Sequence, residues 1–214
     1  MITALTVNYN TPDFLERLLS SFRKYYDIPY VVIDGSDLSY YKKIVGFKKK
    51  YKLEIIHFPY NIHHGPGLAF GIKYIQTDKI LLLDSDLVVL KGGFVEDRES
   101  KLRSDAYGIG DIQTVNERGF NVTAGIKYLH PACSLLNRDI VLKFPLPSFH
   151  GAPMIYAMKA IHDKGLSDEL LIHEPWITND FRKSRKKFIL HDWKGTVDRT
   201  GGYHFENRLT VNCK

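Results

Sequence analysis

Asp84-Ser85-Asp86 follows an uninterrupted apolar run, Ile80-Leu81-Leu82-Leu83. If the strand continues through it, positions i and i+2 project to one face with Cα atoms roughly 6.6 Å apart. Like charges held that close are unfavourable unless a cation lies beside them. Hard carboxylate oxygens with water completing the shell suit Mg²⁺ or Mn²⁺, and such an ion binds diphosphate oxygens in turn. Asp-x-Asp also serves as a plain strand-ending turn, so its meaning depends on company. Asp34 closes a second buried run, Tyr30-Val31-Val32-Ile33, where a carboxylate can accept from a nucleobase imide or a ribose hydroxyl. The loop Asn61-Ile62-His63-His64-Gly65-Pro66-Gly67 opens onto a helix whose free N–H groups favour an anion. Gly65 and Gly67 permit close backbone approach. The loop matches neither Gly-x-Gly-x-x-Gly nor a P-loop, and His63 and His64 read equally well as exposed loop histidines.

The elements around these residues alternate. Leu5 to Tyr9 reads as a strand, and Thr11-Pro12-Asp13 as a helix start with Thr11 as cap, running to near Tyr26. Tyr30 to Ile33 is a β-branched strand entering the turn Asp34 to Asp37. A helix over Ser39–Phe47, a strand over Leu53–Phe58, a helix marked by Leu68, Ile72 and Ile75, and a strand over Lys79–Leu83 follow. Short connections between alternating strands and helices make βαβ units and an open, mostly parallel α/β sheet. Ligands of such sheets sit outside the carboxyl ends of the strands, where every polar cluster named above falls.

The second half is less periodic. Strands are expected over Ala106–Val115, Lys127–Leu136 and Lys187–Leu190, and a helix over Ala152–Lys164. The basic run Arg182 to Lys187 reads first as a solvated segment.

A chain of 214 residues is long enough to bury a full core in one domain. Its 44% apolar and 25% charged residues exclude a disordered or fibrous protein, and no run is long enough to span a bilayer. Two cysteines, Cys133 and Cys213, are too few for a disulfide scaffold and read as reduced thiols in a cytoplasmic setting. Met1 runs directly into a strand, so neither leader nor anchor is expected, and the chain can be one domain of a longer protein. The net charge of +6 points to an anionic partner without naming it.

Leu5 to Asn10, Val32 to Ser36, Asn61 to Gly71 and Ile80 to Asp86, in this order, resemble the nucleotide-sugar glycosyltransferases of the GT-A fold. The resemblance is to family-2-like enzymes, and to the small glycosyltransferase domains of large algal DNA viruses, the chloroviruses. It implies a single Rossmann-like, mostly parallel central sheet flanked by helices. Residues 1–104 would form the nucleotide-binding half and residues 105–214 the acceptor-binding half. It implies a UDP-sugar donor, a glycan acceptor, and Mn²⁺ or Mg²⁺ on Asp84 and Asp86 with His191 as third ligand. Asp34 would hold uracil or ribose, with Val7, Asn8 and Tyr9 lining the base pocket. Asn61, His63, His64, Gly65 and Gly67 would lie along ribose and diphosphate with Ser85, and Lys194 near the β-phosphate. His130, Pro131, Ala132 and Trp176 would face sugar and acceptor. The sugar would be a hexose or 6-deoxyhexose of glucose or rhamnose type. Inverting enzymes of this kind usually carry a Glu-Asp pair before the helix that begins near Ala152, but this chain reads His150-Gly151-Ala152-Pro153. Glu174, Asp180 and His150 are the substitute bases; without a base, transfer with retention is expected.

Two other classes remain. A sugar-phosphate nucleotidyltransferase would need a Gly-rich basic loop where this chain has Asn8-Tyr9-Asn10-Thr11-Pro12-Asp13. A basic nucleic-acid or polysaccharide module would use Lys48-Lys49-Lys50 and the run Arg182 to Lys187, but leaves three strand-end aspartates unexplained. Nucleic acid is therefore not expected as a partner, and a membrane span is not expected either.

Overall fold

The computed structural model describes residues 1–149, 151–175, 177–178 and 187–192. Four parallel strands form one half of a seven-stranded sheet: β1 (Ile2–Asn8), β2 (Tyr30–Asp34), β3 (Glu54–His57) and β4 (Lys79–Leu83). They stand in the order β3-β2-β1-β4, and β7 (Ile126–Asn137), β6 (Gly108–Val115) and β8 (Leu171–His173) complete the sheet beyond β4. β7 is antiparallel to both β4 and β6, while β8 is parallel to β6. The result is the α/β, mostly parallel sheet that the alternation predicts.

Helices cover both faces because the central strands are apolar on both. One face packs Ile2, Ala4, Leu81 and Leu83 against α1 (Pro12–Phe22) and α5 (Phe94–Lys101). The other packs Leu5, Ile80 and Leu82 against α4 (His64–Tyr74) and α7 (Ile155–Asp163). Thr6, fully buried on β1, hydrogen-bonds Tyr30 Oη at 2.7 Å and donates to the Leu83 carbonyl at 2.8 Å. One hydroxyl so satisfies the interior where β1, β2 and β4 meet.

Several boundaries differ from expectation. α1 stops at Phe22 rather than near Tyr26, and Thr11 makes no side-chain cap; its hydroxyl donates to Asn8 Oδ1 at 2.9 Å. The segment expected as one helix after Asp37 is two, α2 (Leu38–Ile44) and α3 (Phe47–Lys50), divided at Val45-Gly46. α4 begins at His64, so Gly65 and Gly67 belong to its first turn and not to a preceding loop. α7 begins at Ile155, later than Ala152. The strand expected over Lys187–Leu190 is found at Ile189–His191 (β10), and it joins β5 (Leu87–Val89) and β9 (Ile177–Thr178) in a second, three-stranded sheet of order β5-β10-β9 that the alternation did not signal. α6 (Arg138–Val141) and α8 (Ser167–Leu170) are single turns.

Candidate active site at the carboxyl edge of the sheet

Asp84, Ser85 and Asp86 lie beyond the end of β4, not on it. The Asp84 amide donates to the Ala132 carbonyl at 2.8 Å, and the Leu87 amide to the Asp84 carbonyl at 3.3 Å. A tight turn, rather than i, i+2 strand geometry, therefore aims the two carboxylates. Pairing of β10 with β5 then sets His191 opposite Leu87. His191 Nε2 lies 3.2 Å from Asp86 Oδ1 and 3.9 Å from Asp84 Oδ2. Ligand atoms of Asp84, Asp86 and His191 all fall within 4.8 Å of one another.

The site is enclosed: Asp86 and His191 are buried and Asp84 is half-buried. Burial pushes the Asp84 carboxyl above its ordinary range; His64 opposes this, the Asp86 charge adds to it, and His191 opposes it again. For His191, burial works against protonation, but the Asp86 hydrogen bond and the charges of Asp86, Asp84 and Asp192 outweigh it and raise the pKa. An imidazole and two carboxylates crowded in this way form a donor set that a divalent cation would neutralise.

His64, at the start of α4, adds its Nε2 3.4 Å from Asp84 Oδ1. His63 is exposed, holds a positive φ of 62°, and its amide donates to Asn61 Oδ1 at 2.9 Å. Gly65 and Gly67 serve the chain's own packing. A Cβ at Gly65 would lie 2.3 Å from the Phe149 carbonyl oxygen, and one at Gly67 would lie 2.8 Å from a Val7 methyl. The close approach they allow within the chain is of backbone at Gly65 and of a side chain at Gly67.

Asp34 is fully buried at the end of β2. Its Oδ1 accepts from Asn8 Nδ2 at 2.8 Å and from Ser36 Oγ at 2.6 Å, and its Oδ2 faces His57 Nδ1 at 2.9 Å. Sequence reasoning missed His57 because nothing local marks it; strand pairing alone sets it beside Asp34. Tyr9 is half-buried at the exit of β1.

On β7, Pro131 and Ala132 are buried, and His130 Nδ1 accepts from the Ala132 amide at 3.2 Å. Burial, then the positive charge of His191 and His64, push the His130 pKa down to about 3. Glu174 is occupied elsewhere: Lys101 on α5 holds its carboxylate at 2.9 Å. His150, Trp176, Asp180 and Lys194 lie outside the described residues, as does most of the run Arg182 to Lys187.

An α/β sheet covered on both faces, with two aspartates and a histidine gathered at its carboxyl edge, is the architecture of the GT-A fold. A family model for Glycosyl transferase family 2 matches residues 3–163, and the chain belongs to that family. No curated protein sequence matches it. Among solved structures, the mannosyltransferase PcManGT of Pyrobaculum calidifontis, in complex with GDP-Man and Mn²⁺, superposes with a TM-score of 0.62 at 12% identity, covering 81% of this chain and 54% of that one. TarS 1-349 of S. aureus in complex with UDP-GlcNAc gives 0.59 at 16% identity, covering 88% and 57%. Glucosyl-3-phosphoglycerate synthase of Mycobacterium tuberculosis in complex with UDP gives 0.59 at 14% identity, covering 82% and 70%. The chain thus spans little more than half the length of the first two. No described helix is long and apolar enough to cross a membrane.

Proposed function

We propose that this chain is the catalytic domain of a metal-dependent glycosyltransferase. It would transfer a hexose or 6-deoxyhexose, glucose- or rhamnose-type, from a UDP-sugar to a glycan acceptor. The observation that carries this is the convergence of Asp84, Asp86 and His191 ligand atoms within 4.8 Å at the sheet's carboxyl edge. Two carboxylates and an imidazole fit Mn²⁺ and, less typically, Mg²⁺. When bound, the ion would neutralise the diphosphate as the glycosidic bond to it breaks.

The chain's own residues divide the remaining work. Val7, Asn8 and Tyr9 border the base pocket, with Asp34 buried behind it, and Asn61, His63, His64 and Ser85 flank the ribose and diphosphate. Gly65 and Gly67 set the distance of α4 from them, and Lys194 supplies a point charge. His130, Pro131, Ala132 and Trp176 border the transferred sugar and acceptor. Residues 1–104 make the donor half and residues 105–214 the acceptor half. Transfer with retention is supported by Glu174, whose carboxylate is already paired with Lys101, and by the lack of a carboxylate at residues 150–153. A cytoplasmic location, that of the host if the gene is viral, agrees with a buried free thiol at Cys133.

Calorimetry of UDP with and without Mn²⁺ tests the site. UDP affinity should depend on the metal, and Asp86→Ala should weaken it at least about tenfold, or 1.4 kcal/mol. UDP binding without metal, or metal dependence that survives Asp86→Ala, overturns the assignment. The anomeric coupling of the product formed from a UDP-sugar reads the stereochemistry, and inversion would refute the retaining course.

A further inference from the structure

Asp34 is enclosed on every side that the structure describes. Its Oδ1 takes the Asn8 amide and the Ser36 hydroxyl, and its Oδ2 faces the His57 ring. The Asn8 amide is itself oriented, because the Thr11 hydroxyl donates to its oxygen at 2.9 Å. Ser36 Oγ in turn accepts from the Asn10 amide at 2.8 Å. This network leaves the carboxylate no face towards a ligand, since its residue is 0% exposed.

His57 differs. It is the last residue of β3, in register with Asp34, and its side chain is 18% exposed. Tyr41 from α2 stacks on its ring with centroids 3.7 Å apart and planes 14° apart. Position, plane and one nitrogen are thereby fixed. A carboxylate oxygen only accepts, so Nδ1 carries the proton, and in the neutral ring Nε2 must be an acceptor. Among the described residues Nε2 has no hydrogen-bond partner.

We infer that His57, oriented by Asp34 and Tyr41, is the residue that selects the nucleobase, presenting Nε2 as an acceptor to a ring N–H. This rests on the nucleotide-sugar reading above and sharpens it. Uracil offers N3–H on its Watson–Crick edge, as guanine offers N1–H, whereas cytosine N3 and adenine N1 offer lone pairs that Nε2 repels. A site built to receive a hydrogen bond rejects a ligand that leaves its polar atom unpaired. Asp34 then acts through His57 as a positioning residue instead of touching the base.

The test is Mn²⁺-dependent binding of UDP, CDP and N3-methyl-UDP to the full chain and to two variants. The wild type should bind UDP at least tenfold more tightly than CDP or N3-methyl-UDP. His57→Phe should lose about tenfold for UDP and leave CDP affinity equal or higher. Asp34→Asn keeps the acceptor for Asn8 and Ser36 but turns an amide N–H towards Nδ1, which moves the ring proton to Nε2. Its preference for UDP over CDP should shrink or invert, and ¹⁵N shifts of His57 should report the exchanged tautomer. Equal losses for UDP and CDP in His57→Phe, unchanged UDP affinity in it, or a wild-type His57 that carries a proton on Nε2, alone or together with Nδ1, would each overturn the inference and leave the metal site standing. A wild type that binds no nucleoside diphosphate in the presence of Mn²⁺ would overturn the proposed function along with it.

Discussion

At the residue scale, His130 ties the site to acid stability. Its pKa is held at about 3, against about 6.5 for a free imidazole, by burial first and then by His191 and His64. The unfolded chain therefore takes up a proton below about pH 6.5 that the folded chain refuses. Stability is complete above that value and is lost as the pH falls towards about 3. Two pH units correspond to roughly 2.7 kcal/mol, and the ring keeps some solvent contact, so a loss of about 1–2 kcal/mol between pH 6.5 and pH 4.5 is expected. Urea titrations at those pH values should show His130→Asn losing less stability on acidification than the wild type. Residue types carried most of the site: Asp34, Asp84, Asp86 and His191 were visible as strand-end polar groups. The way they converge was not, because a turn and a strand pairing achieve what i, i+2 spacing was expected to do. His57 and Tyr41 were silent for the same reason. Their meaning comes from one pairing register and one stacked ring.

At the element scale, the glycines of α4 let it pack directly against β1 and the segment before α7. At Gly65 an added Cβ meets the Phe149 backbone at 2.3 and 2.5 Å, and neither atom can yield without moving the chain. Gly65→Ala should cost about 1–3 kcal/mol and weaken UDP binding as the helix start shifts. Gly46, at φ −65° and ψ −21° with nothing within 4 Å of an added Cβ, is the control. Gly46→Ala should stabilise by about 0.4–1 kcal/mol, since it only restricts the unfolded chain. Equal midpoints for the two variants in chemical denaturation would refute the packing argument. The first four strands were legible as short apolar, β-branched runs, and helices α1 and α4 by apolar residues at helical spacing. β10 was legible in part, as the strand expected over Lys187–Leu190, whereas three-residue β5 is shorter than any period can register. α5 escaped notice because Glu96, Asp97, Glu99 and Lys101 outweigh its buried Phe94, Val95 and Arg98.

At the scale of the whole molecule, the site joins two distant parts of the chain. Asp84 and Asp86 leave the central sheet, while His191 arrives on a strand held by three residues of β5. Asp192 reinforces that arrival, pairing with Arg17 on α1 and donating its amide to the Asp86 carbonyl at 3.3 Å. The net charge of +6 coexists with an acidic edge, so affinity for phosphate is a local property rather than a global one. A cation shared by Asp84, Asp86 and His191 would clamp β10 to the sheet, and its binding energy would add to folding stability by linkage. At a metal concentration a hundred times Kd that gain is about 2.7 kcal/mol. For a domain of this length it amounts to a rise in Tm of roughly 5–11 °C. His191→Ala should retain the fold, as read by circular dichroism, yet lose most of that rise at the same Mn²⁺ concentration. Amide exchange supplies the local counterpart: Mn²⁺ should slow exchange at Ile189 to His191 in the wild type, while β1 and β4 change little. Uniform protection across the sheet, or an undiminished Tm rise in His191→Ala, would mean that the cation binds without using the small sheet.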